Sequence, residues 1–501
     1  MKRYRCRGTI TVFLSLVSVL FLSLVCTMVE SARLQGARAW AAAVTDMGIF
    51  SVFGEYSTEI LEKYDVLFLD GSYGNGEFEE ERIALQMREF MRYNANPAEE
   101  MKLIKGRNLF PMEIEKCEVS GYTLATDENG EAFYQQAVRN VKENLGTELL
   151  LKYQEARKEA ERQQEAADIY EKKDGIDWDN LEGLERQQEE LKEEEIKEKG
   201  GEEVTEDIRQ DKPVENPLDT IKKIKKLGIL GLVIKDASSV SGKSAEKQEM
   251  VSGRTRREGN LPVEKKYSGA ASDVIFQDYL LGRFGTWRKP CKEGALEYQA
   301  EYILMGKDSD EANLKAVVNR LLLMREGINL LYAASDTKMR SQAGSLAVSI
   351  AGAVPVPGLV QALEAVLLLA WAYGESLLDV RTLMSGGKVP SIKDASTWKL
   401  SLEKLAQVTE LLEECDSGGG SGQDYEDYLR ILMLTGEKRK YPLRALDMME
   451  QTLGGQADSW IVKAEAAVSW KFPAIFLRIP QVFMGLPKQT PGYEVKGSFG
   501  Y

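Results

Sequence analysis

Residues 10–29 read ITVFLSLVSVLFLSLVCTMV, a run without a charged side chain, a glycine or a proline. Since an α-helix rises about 1.5 Å per residue, this run is long enough to cross the roughly 30 Å hydrocarbon core of a bilayer. Basic side chains precede it, at Lys2, Arg3, Arg5 and Arg7. Because positive charge favours the cytoplasmic side, the sequence predicts a basic cytoplasmic tail at 1–9, a transmembrane helix at 10–29 and an extracytoplasmic domain after it.

A cleavable signal peptide is the alternative interpretation, because it also combines a basic start with an apolar run. This run is longer than the usual stretch of about 7 to 15 residues, and Val29-Glu30-Ser31-Ala32 is a poor small-residue cleavage site. We therefore expect an anchor that is not cleaved. Residues 31–53 are rich in Ala and contain no proline, so we expect the helix to continue beyond the membrane.

The composition argues against several classes of site. The chain has 501 residues and a formal net charge of −14, and it shows no basic stripe outside the N-terminus that would bind nucleic acid. It contains no histidine, which removes Ser-His-Asp and Cys-His nucleophilic sites and the HExxH zinc site. Its five cysteines form no CxxC pair, so no disulfide scaffold is expected. We therefore predict no catalytic residue, no metal site and no cofactor.

Short apolar or alternating runs predict a small sheet. These runs are residues 64–69, 112–124, 460–470, 475–479 and 493–499. Helical patterns dominate the remainder of the chain. The sequence thus predicts an α+β fold, in which a helix-rich ectodomain with a small sheet follows one N-terminal transmembrane helix.

Shifts in composition divide the ectodomain. Its first part is predicted at 30–152, and a charged, partly helical or disordered insertion at 153–268 interrupts it. A helix-rich core at 269–416, a Gly/Ser linker at 417–423 and a C-terminal part at 424–501 follow. Within the insertion, residues 153–212 are mostly Glu, Gln, Lys and Arg, which indicates a solvated helix with i,i+4 charge pairs or a disordered tract. A coiled coil is the alternative, although its apolar spacing is not sustained over three heptads.

Residues 343–373 form a second strongly apolar stretch, in which Glu364 is the one charged residue. Pro355 and Pro357 divide it into two parts, each about as long as a buried helix. We therefore expect an apolar helical hairpin in the core at 343–373. A second transmembrane segment is the alternative.

Three charged residues near the end of this stretch are the candidate site. Glu375 and Asp379 are four residues apart, so a helix would place both carboxylates on one face, where they could serve acid–base chemistry or bind a metal ion. They could equally form ion pairs with Arg381 and Lys388, and no nucleophile or ligand cluster lies near them in the sequence. We therefore interpret Glu375, Asp379 and Arg381 as a contact or ion-pair cluster.

The N-terminus resembles the pseudopilin-like proteins of Tad (tight-adherence) pili. In those proteins a basic leader meets a glycine, an apolar helix follows, and a Glu-x-x-Arg pattern leads into the soluble part. Arg7-Gly8 and Glu30-Ser31-Ala32-Arg33 stand in those places here. The resemblance implies prepilin-type processing after Gly8, but Phe13 occupies the position where those proteins carry a glutamate.

Outside residues 153–268, the chain also resembles an uncharacterised bacterial family with a domain of unknown function, found with Tad-like pilus or secretion genes of Gram-positive anaerobes. The matching residues include Gly8 to Leu14, Glu301-Tyr302-Ile303-Leu304, Asp379-Val380-Arg381 and Tyr425 to Arg430. The resemblance implies a structural or assembly component of a Tad-like pilus or secretion apparatus, held in the cell membrane by residues 10–29, with pilus or secretion proteins as partners. The alternative is a cell-surface enzyme or ligand-binding receptor that shares only the anchor. The oligomeric state is left open.

Overall fold

A computed structural model describes residues 7–95, 110–144, 148–198, 216–352, 355–415, 422–476 and 492–501. Most of the predicted Gly/Ser linker at 417–423 and residues 1–6 of the predicted tail lie outside these ranges. The chain forms two compact units. Unit 1 comprises Met1–Asn140, Gly253–Lys266 and Leu453–Tyr501, and unit 2 comprises Val141–Ser252 and Tyr267–Thr452. The predicted insertion at 153–268 is thus shared between the two units.

Unit 1 combines a long N-terminal helix with an antiparallel sheet. Its elements are α1 (Arg7–Phe53), α2 (Thr58–Tyr64), β1 (Leu69–Asp70), α3 (Glu80–Ala95), β2 (Glu113–Leu124), most of α4 (Asp127–Asn144), β3 (Trp460–Lys471) and β4 (Gly492–Gly500). The sheet confirms the predicted α+β class. Residues 475 and 476 are not in a strand, and the rest of the predicted strand at 475–479 lies outside the described part of the chain.

Strand β3 is the centre of the sheet and pairs with the other three strands. Val468 lies opposite Cys117 of β2 on one side and Val495 of β4 on the other. The short β1 pairs with the first residues of β3, where Leu69 faces Ile461. The sheet therefore joins strands from both ends of the chain.

The second half of α1 packs on this sheet. Its buried side chains include Ala37, Ala41 and Val44, whose small size and helical spacing let the helix approach the strands closely. The indole Nε1 of Trp470 in β3 donates a hydrogen bond to Thr45 Oγ1 at 3.1 Å. A Cβ added at Gly497 of β4 would lie 2.7 Å from Ile49 Cδ1, so a larger residue there would force the Ile49 side chain to move.

Unit 2 is helical in its described part. Its helices are α5 (Glu148–Glu198), α6 (Pro217–Ile224), α7 (Ile229–Val233), α8 (Ala270–Arg283), α9 (Gln299–Met305), α10 (Asp310–Ser335), α11 (Thr337–Ala351), α12 (Leu359–Met384), α13 (Val408–Glu414), α14 (Tyr425–Thr435) and α15 (Tyr441–Leu453). The apolar stretch at 343–373 falls on α11 and α12, which are separated at the prolines. Among the described residues, only α1 is long and apolar enough to cross a membrane.

The charged helix α5 differs from the predicted solvated helix because one of its faces is buried. Ala160, Ala166, Ala167 and Tyr170 lie on that face. A Cβ on Gly327 of α10 would lie 2.3 Å from the backbone of Ala166. The two helices are therefore in backbone contact, and small residues rather than an apolar heptad make the contact.

Candidate functional site

The predicted cluster lies on α12, where Glu375, Asp379 and Arg381 are all buried. The i,i+4 spacing places the two carboxylates on one face of the helix. Arg381 is not part of their ion pairs, because its Nη1 donates a hydrogen bond to the carbonyl of Leu232 at 3.0 Å. The structure thus brings two of the three predicted residues together.

Two other basic residues neutralise the carboxylates. Lys393, in the segment after α12, donates a hydrogen bond to Glu375 Oε1, and its Nζ lies 2.7 Å from Asp379 Oδ1. Arg325 of α10 donates from Nε and Nη2 to Asp379 Oδ2 at 3.1 and 2.9 Å. Lys388, the partner suggested by its position in the sequence, is exposed. Each carboxylate is therefore held by a buried cation.

Backbone and neutral side-chain groups complete this network. Glu375 accepts hydrogen bonds from the amides of Lys399 and Leu400, the latter at 2.7 Å. Asn329 Nδ2 donates to Asp379 Oδ2, and Arg325 Nη1 donates to Tyr428 Oη. The network consequently connects α10, α12, α14 and the segment around residues 390–400.

The two carboxyl groups differ in their electrostatic environment. Burial raises the pKa of Glu375, and the neighbouring negative charge of Asp379 raises it further, against the opposing effect of Lys393. Burial would also raise the pKa of Asp379, but Arg325 and Lys393 together hold it below its ordinary value. Two acids and two bases in contact form a nearly neutral buried group, so removal of any one of them leaves a buried charge without its partner.

Sequence reasoning did not identify Arg325 and Lys393. Arg325 shares one helical face of α10 with Leu321, Leu322 and Ile328. This is a usable signal, because a charge at a core position requires a partner. Lys393 lies between Pro390 and Ser396 in a segment without periodicity. Only the three-dimensional structure shows that it faces α12.

The apolar start of α1 is the second candidate site. The helix continues without a break from Arg7 to Phe53, and its apolar side chains from Ile10 to Met28 are mostly exposed within the chain. Phe13, which occupies the position of the pseudopilin glutamate, is 66% exposed. A contiguous apolar surface of this size on one helix is typical of a segment that contacts lipid or other apolar helices.

An ion pair lies at the point where α1 enters the core of unit 1. Arg33 Nη2 lies 2.6 Å from Glu30 Oε1, and both side chains are buried. Arg33 also donates to the carbonyl of Pro473 at 2.7 Å, while the amide of Phe476 donates to Glu30 Oε2 at 2.9 Å. The Glu-x-x-Arg pattern therefore ties the exposed half of the helix to the chain that leaves β3.

Comparison with known proteins shows a match to a family. The model of DUF5702, described as a family of unknown function, matches residues 208–470. No curated protein and no solved structure matches the chain. The matched range includes α6 to α15 and most of β3, and with them the ion-pair network of α12.

Proposed function

This chain belongs to the DUF5702 family of unknown function, and we propose that it is a membrane-anchored, extracytoplasmic structural or assembly component of a Tad-like pilus or secretion apparatus. In this proposal residues 10–29 cross the cell membrane once, with the N-terminus in the cytoplasm and the ectodomain that follows residue 29 outside. The partners are pilus or secretion proteins that contact the apolar helix or the ectodomain.

The division of α1 into two halves is the observation that carries the proposal. The first half is apolar and exposed, whereas the second half forms part of the core of unit 1. A helix of this kind can lie in a bilayer or pack among other apolar helices while its second half remains folded with the sheet. The resemblance of Arg7-Gly8 and Glu30-x-x-Arg33 to pseudopilin-like proteins supports the same role.

The Glu30–Arg33 ion pair supports a structural role for α1. Both residues bond to residues 473–476, so the exposed half of α1 is not attached by a flexible linker. A continuous helix fixes the position of the membrane segment relative to the sheet. A subunit that assembles through its N-terminal helix requires such a rigid connection.

The alternative of a surface enzyme or receptor draws no support from the predicted carboxylates. It would require Glu375 and Asp379 to converge with Glu301 or Asp308 in an open site. Instead, Glu375 and Asp379 are bound to Lys393 and Arg325. Glu301 accepts hydrogen bonds from Tyr425 Oη and the Trp287 amide, and Asp308 pairs with Lys247.

Affinity purification from detergent-solubilised membranes tests the proposal. The full chain should recover pilus or secretion subunits, identified by mass spectrometry. A truncated chain that begins at Glu30 retains Arg33 and the core residues of α1, so it should fold and yet leave the membrane fraction. Recovery of no pilus or secretion subunit with the full chain would contradict the proposal.

A helix exchange separates anchoring from specific packing. In this variant residues 10–29 are replaced by an unrelated apolar transmembrane helix of equal length, so that the protein stays in the membrane. Loss of the partners would assign the contact to the sequence of α1, whereas their retention would assign it to the ectodomain. Protease treatment of intact cells tests the topology, because an ectodomain outside the membrane should be degraded.

A further inference from the structure

Unit 2 contains a cleft of about 370 Å³, a volume in the usual range for small-molecule sites. Helices α5, α10 and α12, the segment between α6 and α7 and the first residue of α7 line this open cleft. Its floor is formed by the buried residues Tyr170, Leu322, Glu326 and Tyr373. Asp174 and Lys225 lie at its rim, beside the exposed residues Lys315 and Asn319.

Glu326 is the unusual group in this cleft. The residue is only 6% exposed, yet within the described part of the chain its carboxyl group forms neither an ion pair nor a hydrogen bond. Burial raises the pKa of Glu326 to about 8; Lys225 opposes this effect, and Asp174 adds to it. Buried carboxyl groups in proteins ordinarily have partners. An unpartnered carboxyl at the floor of a cleft therefore indicates a ligand that supplies one.

The rim already holds an ammonium group. Lys225 Nζ lies 2.8 Å from Asp174 Oδ1 and 5.3 Å from the centre of the Tyr373 ring. It also lies 5.5 Å from the centre of the Trp178 ring. Carboxylates and aromatic rings together are the groups with which proteins bind organic cations. Lys225 is thus an ammonium group of this chain that already lies among a carboxylate and aromatic rings at the cleft.

We infer that the cleft binds a small organic cation, with the ammonium group of the ligand against the Glu326 carboxylate and the rings of Tyr170 and Tyr373 beside it. An anionic ligand fits less well, because its charge would meet Glu326 at the floor and Asp174 at the rim. Lys225, the nearest cation, is already paired with Asp174. This inference is independent of the proposed role in a pilus or secretion apparatus.

Binding should release a proton. Below pH 8 Glu326 is mostly protonated, and the incoming ammonium group favours its ionised form, so the carboxyl proton leaves to solvent while an ion pair forms. The charged and titratable groups that face Glu326 are Asp174 and Tyr170 from α5, Lys225 from the segment after α6, Lys315 from α10 and Tyr373 from α12. The pKa values of both tyrosines are raised, chiefly by burial, so neither titrates between pH 6 and 8.

Titration calorimetry and thermal unfolding of the full chain in detergent test the inference. The probes are n-butylammonium chloride and sodium butyrate, which match in chain length and differ in charge. We expect butylammonium to bind and to raise the melting temperature, and butyrate to do neither. Its affinity should rise on the order of tenfold or more from pH 6 to pH 8, because only the fraction with ionised Glu326 is competent to bind.

Variants separate the roles of the charges. Glu326→Gln keeps the shape of the floor but removes the charge, and it should weaken butylammonium binding about tenfold or more. Glu311→Gln, an exposed position on the same helix, is the matched control and should bind like the parent chain. Lys225→Met removes the internal ammonium and should tighten butylammonium binding. The inference is overturned if butylammonium does not bind, if Glu326→Gln binds it equally well, or if butyrate binds and Lys225→Met abolishes that binding.

Discussion

The ammonium group of Lys393 lies 2.7 Å from Asp379 Oδ1, and both side chains are only 1% exposed. The same ammonium group donates a hydrogen bond to Glu375, so one lysine neutralises two acids of α12. Arg325 supplies the second positive charge. The packing of α12 against α10 and the segment around residue 393 therefore depends on a complete set of four charges.

Lys393→Met should destabilise unit 2 by about 3–5 kcal/mol, because it leaves two buried carboxylates with one cation. Urea unfolding of the full chain measures the change. Lys388→Met, a nearby exposed position, is the control and should stay within about 0.5 kcal/mol of the parent. In the double variant Glu375→Gln/Lys393→Met, part of the loss should be recovered. Equal stabilities for Lys393→Met and Lys388→Met would contradict the assigned role.

The sequence was sufficient to place Glu375 and Asp379 on one helix face, because that inference requires only the helical period. It could not identify their partners, since Arg325 is 54 residues from Asp379 in the chain and Lys393 lies in an irregular segment. The sheet was foreseeable from the alternation in β2, β3 and β4. The burial of one face of α5 could not be foreseen, because that face consists largely of Ala, Gln and Tyr. These residues are also common on solvent-exposed helices.

The backbone contact between Gly327 and Ala166 leads to a second prediction. Gly327→Ala would place a methyl group 2.3 Å from the Ala166 backbone, so α5 and α10 must separate, at a cost of about 1–3 kcal/mol. Gly344→Ala is the matched control, since its nearest neighbours are side-chain atoms of Glu364 at 3.6 Å or more. That change should be neutral or stabilise the helix by about 0.5–1 kcal/mol. Hydrogen exchange of α5 and thermal unfolding would both detect the difference.

The unpartnered carboxyl of Glu326 predicts a dependence of stability on pH. Its pKa of about 8 in the folded chain lies above the ordinary value of 4.5, so between these values the folded state binds more protons than the unfolded state. The contribution of Glu326 to stability should therefore fall as pH rises from about 4.5 to 8. Glu326→Gln removes this effect and should be more stable than the parent at pH 8, on the order of 4 kcal/mol, and similar to it near pH 4.5.

Urea unfolding at a series of pH values measures this difference. Glu311→Gln again serves as the control, because the residue is exposed on the same helix and its removal should leave the pH profile parallel to that of the parent. If the free energies of unfolding of Glu326→Gln and the parent differ by the same amount at every pH from 4.5 to 8, the prediction is contradicted.

The last prediction concerns the part of α1 that directly follows the proposed membrane segment. Arg33→Met leaves Glu30 buried without its counter-charge and removes the bond to the Pro473 carbonyl, so unit 1 should lose about 3–5 kcal/mol. Hydrogen exchange should increase in β3 and at residues 473–476, whereas the protein should remain in the membrane fraction because residues 10–29 are unchanged. Arg38→Met is the control: this exposed guanidinium group lies 5.2 Å from the centre of the Tyr493 ring, and its loss should cost about 0.5–1 kcal/mol. If both variants show the same hydrogen exchange as the parent, the Glu30–Arg33 ion pair does not hold α1 to the rest of unit 1. The rigid connection that the proposed function uses is then absent.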